Sequence, residues 1–220
     1  AQDNIRFQRI ALEQGLSQET ILSAYQDQEG FMWFGTQEGL NRYDGYQFKV
    51  FTHSLRHPDS LSSDWVYSIE ESQDGNLWIG TINGINIFDK STQTFRHLKH
   101  DPNNKNSLSE NNSRVIYKDS DKQLWVGTDS GLNRFNPETR EFSRFYNQKE
   151  DTLEPNEISS IAQDKEGFLW IGTDGNGLSK FDPKTEEIVT TSKHIRDKSG
   201  FSNVNIKSLY IDNLQRIWIG

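Results

Sequence analysis

Residues 123–136 read Gln123-Leu-Trp-Val-Gly-Thr-Asp-Ser-Gly-Leu-Asn-Arg-Phe-Asn136, and close copies of the opening words stand at four other places in the chain. They are Phe31-Met-Trp-Phe-Gly-Thr36, Asn76-Leu-Trp-Ile-Gly-Thr81, Phe168-Leu-Trp-Ile-Gly-Thr173 and Arg216-Ile-Trp-Ile-Gly220. Their tryptophans, Trp33, Trp78, Trp125, Trp170 and Trp218, are separated by 45, 47, 45 and 48 residues. A near-constant period of this size marks a repeat architecture in which each unit buries its apolar face against its neighbours.

The repeat extends on both sides of the tryptophan. Seventeen residues before it stands Leu16, Leu61, Leu108, Leu153 or Phe201, and nine before it Ala24, Ile69, Ile116, Ile161 or Leu209, so the front half has one length throughout. After each complete Gly-Thr comes a short turn ending in Gly39, Gly84, Gly131 or Gly177, then an aliphatic residue, then Tyr43, Phe88, Phe135 or Phe181. Four short strands separated by turn residues fit each period: a small-and-aliphatic strand, the Trp strand, the Leu-Asn-x-Phe-Asp strand and a looser outer strand such as Thr94-Phe-Arg-His-Leu98. A helical repeat would instead show 3.6-residue periodicity and fewer Gly, Asn and Asp turns. The fold class expected is all-β, a β-propeller of four-stranded antiparallel blades repeating every 45–48 residues. The blades fall at about 16–51, 61–98, 108–145, 153–190 and, truncated, 201–220, making 1–220 one partial propeller of four full blades and part of a fifth. The stretch Ile5-Arg-Phe-Gln-Arg-Ile10 reads as an outer, ring-closing strand, and open blade edges make self-association an expectation.

Side-chain physics explains the repeated choices. The tryptophan supplies a broad flat surface that packs one sheet on the next. The glycine after it permits close approach of neighbouring backbone. Ser23, Ser68, Ser160 and Ser208, ten residues before the tryptophan, suit a crowded axis, with Val115 the exception.

Composition bounds the partners. The 220 residues carry a formal charge of -8 and a sequence pI near 5.2, which argues against nucleic acid or an anionic membrane surface. Only 32% of residues are hydrophobic and mean hydropathy is -0.83, yet the apolar residues recur in register instead of being diluted. There is no cysteine, so disulfides and thiolate metal sites are excluded. No apolar run reaches the ~18–20 residues that span a bilayer, so any membrane attachment is expected through segments outside this chain.

The pattern Leu-Trp-Ile-Gly-Thr followed by Gly-Leu-Asn-Arg-Phe-Asp resembles the two-component regulator propeller family. The opening Phe7-Gln-Arg-Ile-Ala-Leu-Glu-Gln-Gly-Leu-Ser17, followed by Asp27-Gln-Glu-Gly-Phe-Met-Trp-Phe-Gly-Thr-Gln-Glu-Gly-Leu-Asn-Arg-Tyr-Asp-Gly45, resembles the start of such sensor regions. The resemblance implies a periplasmic, ligand-sensing region of an inner-membrane receptor whose output is a histidine kinase, often hybrid, or a diguanylate cyclase. Repeat two departs with Ile82-Asn83 where the others have polar or acidic pairs, and repeat four inserts a residue in Asp174-Gly-Asn-Gly177.

Repeated residues serve packing, so binding is expected on the variable loops that enter each innermost strand. Aligned positions there supply the candidate ligand-binding set: Asp64, Trp65 and Tyr67; Asn111, Asn112 and Arg114; Asn156 and Glu157; Asn205 and Lys207. Trp65 is the one tryptophan outside the repeat register. An aromatic beside amides and carboxylates suits stacking and hydrogen bonding to a glycan or another small molecule. The competing reading is a cap on the neighbouring blade. No catalytic residue, cofactor or metal site is expected: His53, His57, His97 and His100 lack clustered acidic ligands. Asp74-Gly-Asn76 and Asp119-Ser-Asp121 lack a calcium-loop continuation and read as hairpins. Two other functions remain open, a protein-interaction platform and a polysaccharide-lyase-type propeller enzyme.

Overall fold

The computed structural model describes residues 9, 11–145, 157–191 and 204–220. Of the strand expected over 5–10 only Arg9 is among these residues, and Leu153, Asn156 and Phe201 lie outside them.

Four sheets have four antiparallel strands each, in sequence order from one edge to the other. The first holds β1 (Ser23–Gln26), β2 (Met32–Thr36), β3 (Gly39–Tyr43) and β4 (Phe48–Phe51). The second holds β5 (Val66–Glu71), β6 (Leu77–Thr81), β7 (Gly84–Asp89) and β8 (Thr94–Leu98). The third holds β9 (Ser113–Lys118), β10 (Leu124–Thr128), β11 (Gly131–Asn136) and β12 (Glu141–Phe145), and the fourth β13 (Ile158–Gln163), β14 (Leu169–Thr173), β15 (Gly177–Asp182) and β16 (Glu187–Thr191). A fifth sheet pairs β17 (Leu209–Ile211) with β18 (Ile217–Ile219). The first strands of successive sheets, β1, β5, β9, β13 and β17, pack side by side in that order, so the sheets stand as blades radiating from one inner seam. The fold is an incomplete β-propeller, as the repeat implied, and among the described residues its blades form an open series.

The core lies between blades, not within them. Trp33 of blade one packs with Leu61, Val66, Ile69, Leu77, Ile79, Phe88 and Phe95 of blade two. Trp78 and Ile87 pack with Leu108, Ile116, Leu124, Phe135 and Phe142 of blade three, and Trp125 with Ile158, Ile161, Leu169, Ile171 and Phe181 of blade four. Each of these three tryptophans meets the third-strand aromatic of the next blade edge-on: Trp33–Phe88 at 5.4 Å between centroids, Trp78–Phe135 at 4.6 Å and Trp125–Phe181 at 5.7 Å. Such contacts add to the area burial of the rings.

Two polar devices recur among the blades. In blade one, Asn41 accepts the Ser17 N–H at 2.9 Å and donates to the Ser17 hydroxyl at 2.9 Å, which also meets Thr36 Oγ1 at 3.0 Å. Asn86, Ser62 and Thr81 repeat this in blade two, and Asn133, Ser109 and Thr128 in blade three. The network explains the recurrent Asn of the third strand: it anchors the loop entering the innermost strand with every buried polar group answered. The second device is an aspartate six residues before the tryptophan. Asp27 Oδ1 accepts the Phe31 N–H at 2.9 Å while its Oδ2 accepts Trp33 Nε1–H at 2.8 Å. Asp119–Trp125 (2.8 Å), Asp164–Trp170 (2.9 Å) and Asp212–Trp218 (3.0 Å) do the same, fixing hairpin and ring together.

The glycine two residues after the tryptophan allows the blades to close up. A Cβ on Gly80 would stand 2.5 Å from the carbonyl oxygen of Ser113 in the next blade, and one on Gly127 2.5 Å from Ile158 Cγ2. Gly80→Ala is therefore expected to lower stability by about 1–3 kcal/mol, the cost of overpacking. Gly127→Ala should cost less, since a side-chain methyl yields more readily than a backbone carbonyl. Urea melts of the two variants test this, and an unchanged midpoint for Gly80→Ala would refute the close-approach explanation.

Candidate functional site

The two ends of the blades differ. At one end lie the hairpins joining first to second strands. At the other, the turn between second and third strands meets the loop that enters the next blade: Gly39 N–H donates to Asp64 O (2.8 Å), Gly84 N–H to Asn111 O (2.8 Å) and Gly177 N–H to Val204 O (3.1 Å). The candidate binding residues sit at this loop end.

A repeated irregularity presents them. Val66 pairs Thr81 while Ser68 pairs Gly80, which leaves Tyr67 as an extra residue on the innermost strand. Arg114 takes the same place between Ser113 and Val115, and Ser159 between Ile158 and Ser160. A bulge re-aims the side chain of its extra residue and leaves it outside the ladder. It falls at the position eleven before each tryptophan, one of the three that the sequence singled out.

These side chains meet across blades. The Arg114 guanidinium lies 5.5 Å from the Tyr67 ring, donates to Asp129 Oδ1 at 2.5 Å and pairs with Glu157 Oε2 at 2.8 Å. Trp65 is 6.0 Å from Tyr67 between centroids and is 37% exposed. Asn112 donates to Asp129 Oδ2 at 2.6 Å, while its own Oδ1 is buried without a hydrogen-bond partner. Lys207 pairs with Asp174 at 2.5 Å, and the Asp174 N–H donates to Glu157 O at 2.9 Å. The result is a chain of contacts from Trp65 through Tyr67, Arg114, Glu157 and Asp174 to Lys207.

The remaining candidates do other work. Asp64 accepts the His53 N–H at 2.6 Å and Asn111 the His100 N–H at 2.9 Å, so both tie down the chain leaving the outer strand. Beside them is an open depression of about 630 Å³ walled by Trp65, Asp64, Asn111, Ile82 and Gln37. Asn205 is exposed, and Asn156 lies outside the described residues. The imidazoles of His53 and His100 face the Leu61 and Leu108 carbonyls, each at 2.8 Å, and His97 faces that of Ser60 at 2.8 Å. Asp129 and Asp174 are the participants that sequence reading passed over. Their signal was the residue after Gly-Thr, an acid in repeats three and four but Gln37 and Ile82 in one and two.

Charge is uneven here. Partial burial disfavours the Arg114 cation, but hydrogen bonding to Asp129 and the charges of Asp129 and Glu157 outweigh it and raise its pKa. Burial raises the Tyr67 pKa, and Asp129 and Glu157 add to the effect against Arg114. One guanidinium facing two carboxylates leaves a surplus of acceptors suited to a ligand rich in hydrogen-bond donors.

Deeper along the same inner seam, Tyr25 donates to Glu70 Oε1 at 3.3 Å, and Lys118 pairs with that oxygen at 3.2 Å. Burial, then the Glu70 charge, pushes the Tyr25 phenol from 10.0 up to about 12. A folded-state pKa above the unfolded value means this contribution is fully present below pH 10 and is lost as pH rises through about 12. Alkaline titration followed by phenolate absorbance should show a late-ionising class that loses one phenol in Tyr25→Phe. A titration at the ordinary tyrosine range alone would contradict the burial of this hydroxyl.

Known proteins share this architecture. The extracellular domain assigned to a one component system of B. thetaiotaomicron superposes with TM-score 0.66 at 24% identity, over 86% of this chain and 24% of that one. The extracellular domain assigned to a hybrid two component system of the same organism gives 0.57 at 22%, over 97% and 40%. A catalytically inactive virginiamycin B lyase from Staphylococcus aureus, with quinupristin, gives 0.66 at 18%, over 93% and 64%. At these identities the likeness is one of fold. A histidine kinase P4 of Formosa agariphila is 37% identical over 51 residues, 23% of this chain and 4% of that protein. The chain thus spans only a small part of these longer signalling relatives. Residues 15–38, 60–83, 107–130 and 152–175 each match the family described as two component regulator propeller. The matches recur at the blade spacing and cover the inner strand, the tryptophan strand and the turn that follows, so the chain belongs to the two-component regulator propeller family.

Proposed function

We propose that this chain is the extracytoplasmic ligand-sensing region of a membrane-bound bacterial signalling receptor, with its ligand taken at the loop end of the inner seam. The observation that carries the reading is the contact chain from Trp65 through Tyr67 and Arg114 to Asp129 and Glu157, built on bulged positions that differ from blade to blade. Family membership supports the signalling role, and the extracellular placement of the neighbouring domains supports a periplasmic location. The output would be a histidine kinase or diguanylate cyclase module in the longer protein. An exposed tryptophan beside acceptor-rich polar groups favours an oligosaccharide, whose C–H faces stack on the ring and whose hydroxyls donate to Asp129 and Glu157.

A second reading, a lyase-type enzyme, draws on the virginiamycin B lyase neighbour, which superposes as well as the first sensor domain. One experiment separates the two. Calorimetry against neutral and uronate oligosaccharides should find a ligand that is bound and recovered unchanged. Trp65→Ala and Arg114→Ala should each weaken it at least about tenfold, equivalent to about 1.4 kcal/mol. Cleavage of the saccharide would establish the enzyme reading. Unaltered affinity in both variants would remove the loop end as the site.

A further inference from the structure

Blade two lacks the aspartate that holds the tryptophan in every other repeat. Ser72 stands in its place, and its hydroxyl is engaged within the hairpin by Asn76 O at 2.9 Å and Asp74 Oδ1 at 2.5 Å. Trp78 Nε1–H therefore has no hydrogen-bond partner among the described residues, although Trp78 is only 3% exposed. The indole nitrogen is not among the side-chain atoms sealed from solvent without a partner, so a ligand oxygen can take the place of water on it.

One further departure lies at the same point. The cations lying over Trp125 and Trp170 are Arg134 (5.8 Å) and Lys180 (5.1 Å), but their counterpart beside Trp78 is Ile87. Between blades two and three, at the hairpin end, lies a cavity of about 460 Å³. Ser72, Trp78, Leu124, Phe135 and Pro137 wall it, with Asp74, Asp121 and Lys122 also lining it.

We propose that this cavity is a second ligand site, separate from the loop end, which takes the ring of a neutral saccharide. Its volume falls within the range of small-molecule pockets. Trp78 Nε1–H offers a donor that no described protein group takes. Asp121 offers an exposed acceptor, Asp74 already accepts from Ser72 and Asn76, and both carboxylates repel a free anion. The apolar wall of Leu124, Phe135 and Pro137 requires a C–H face. A hydroxylated ring meets all three demands: one oxygen accepts from the indole, neighbouring hydroxyls donate to the carboxylates, and the ring face covers the wall. A hydrocarbon would leave the indole N–H unpaired, and a carboxylate would face two acids against one lysine.

The test follows the six indole N–H signals of the ¹⁵N-labelled protein while methyl glycosides of glucose, galactose, mannose and N-acetylglucosamine are added. Trp78→Phe identifies the Trp78 signal. Ser72→Asp, which installs the residue four sister repeats carry, identifies it independently by giving the indole an acceptor. The expected result is a saturable shift of the Trp78 signal with at least one glycoside, abolished in Ser72→Asp and retained in Trp65→Ala. A Trp78 signal unmoved by all four glycosides, or a shift that survives Ser72→Asp, would overturn the proposal. So would a shift lost in Trp65→Ala, which would assign the saccharide to the loop end. Failure of binding at the loop end leaves the Trp78 result unaffected, so the two sites stand or fall separately.

Discussion

The structure depends on an indole ring clamped between its own hairpin and the next blade. The aspartate six residues earlier holds the N–H edge of Trp33, Trp125, Trp170 and Trp218, and for Trp33 and Trp125 the third-strand phenylalanine of the following blade meets the ring edge-on. No blade can bury its tryptophan alone. Stability therefore accumulates at the interfaces, as expected of a nearest-neighbour array. The glycine after the tryptophan belongs to the same constraint, since at Gly80 a side chain would hold the Ser113 backbone away and loosen the indole contact.

Because this clamp is set by residues that recur, the rest of each repeat can vary. The variation falls on two opposite ends. At the loop end, the bulged residue of the innermost strand is Tyr67, Arg114 or Ser159, so equivalent backbone presents an aromatic, a cation and a hydroxyl in succession. At the hairpin end, the variation touches the clamp itself. Ser72 removes the acceptor of a single tryptophan, which faces a cavity at that interface.

Much of this was legible in the sequence. The period of 45–48 residues, the four strands, the packing tryptophan and the close-approach glycine follow from residues that recur in register, and the structure places them as read. The aspartate clamp was equally visible in four of five repeats but carried no meaning until its carboxylate was seen against the indole. For the site, the loop positions were legible and the roles were not. Asp64 and Asn111 were themselves binding candidates, and nothing in the sequence signalled that their side chains accept the His53 and His100 N–H groups.

What the sequence determined by itself is the blade: its strands, its turns and the face it buries. These rest on local spacing and on contacts every repeat must make with an equivalent neighbour, so the demand is written afresh in each period. What only the tertiary structure decided is which unlike residues meet. Arg114 finds Asp129 within its own blade and Glu157 in the next, and Trp78, packed on blade three, lacks an acceptor because its own hairpin carries Ser72 in place of the aspartate. Those meetings depend on the rotation and separation between blades, a quantity set by the packed interfaces and carried by no single stretch of chain.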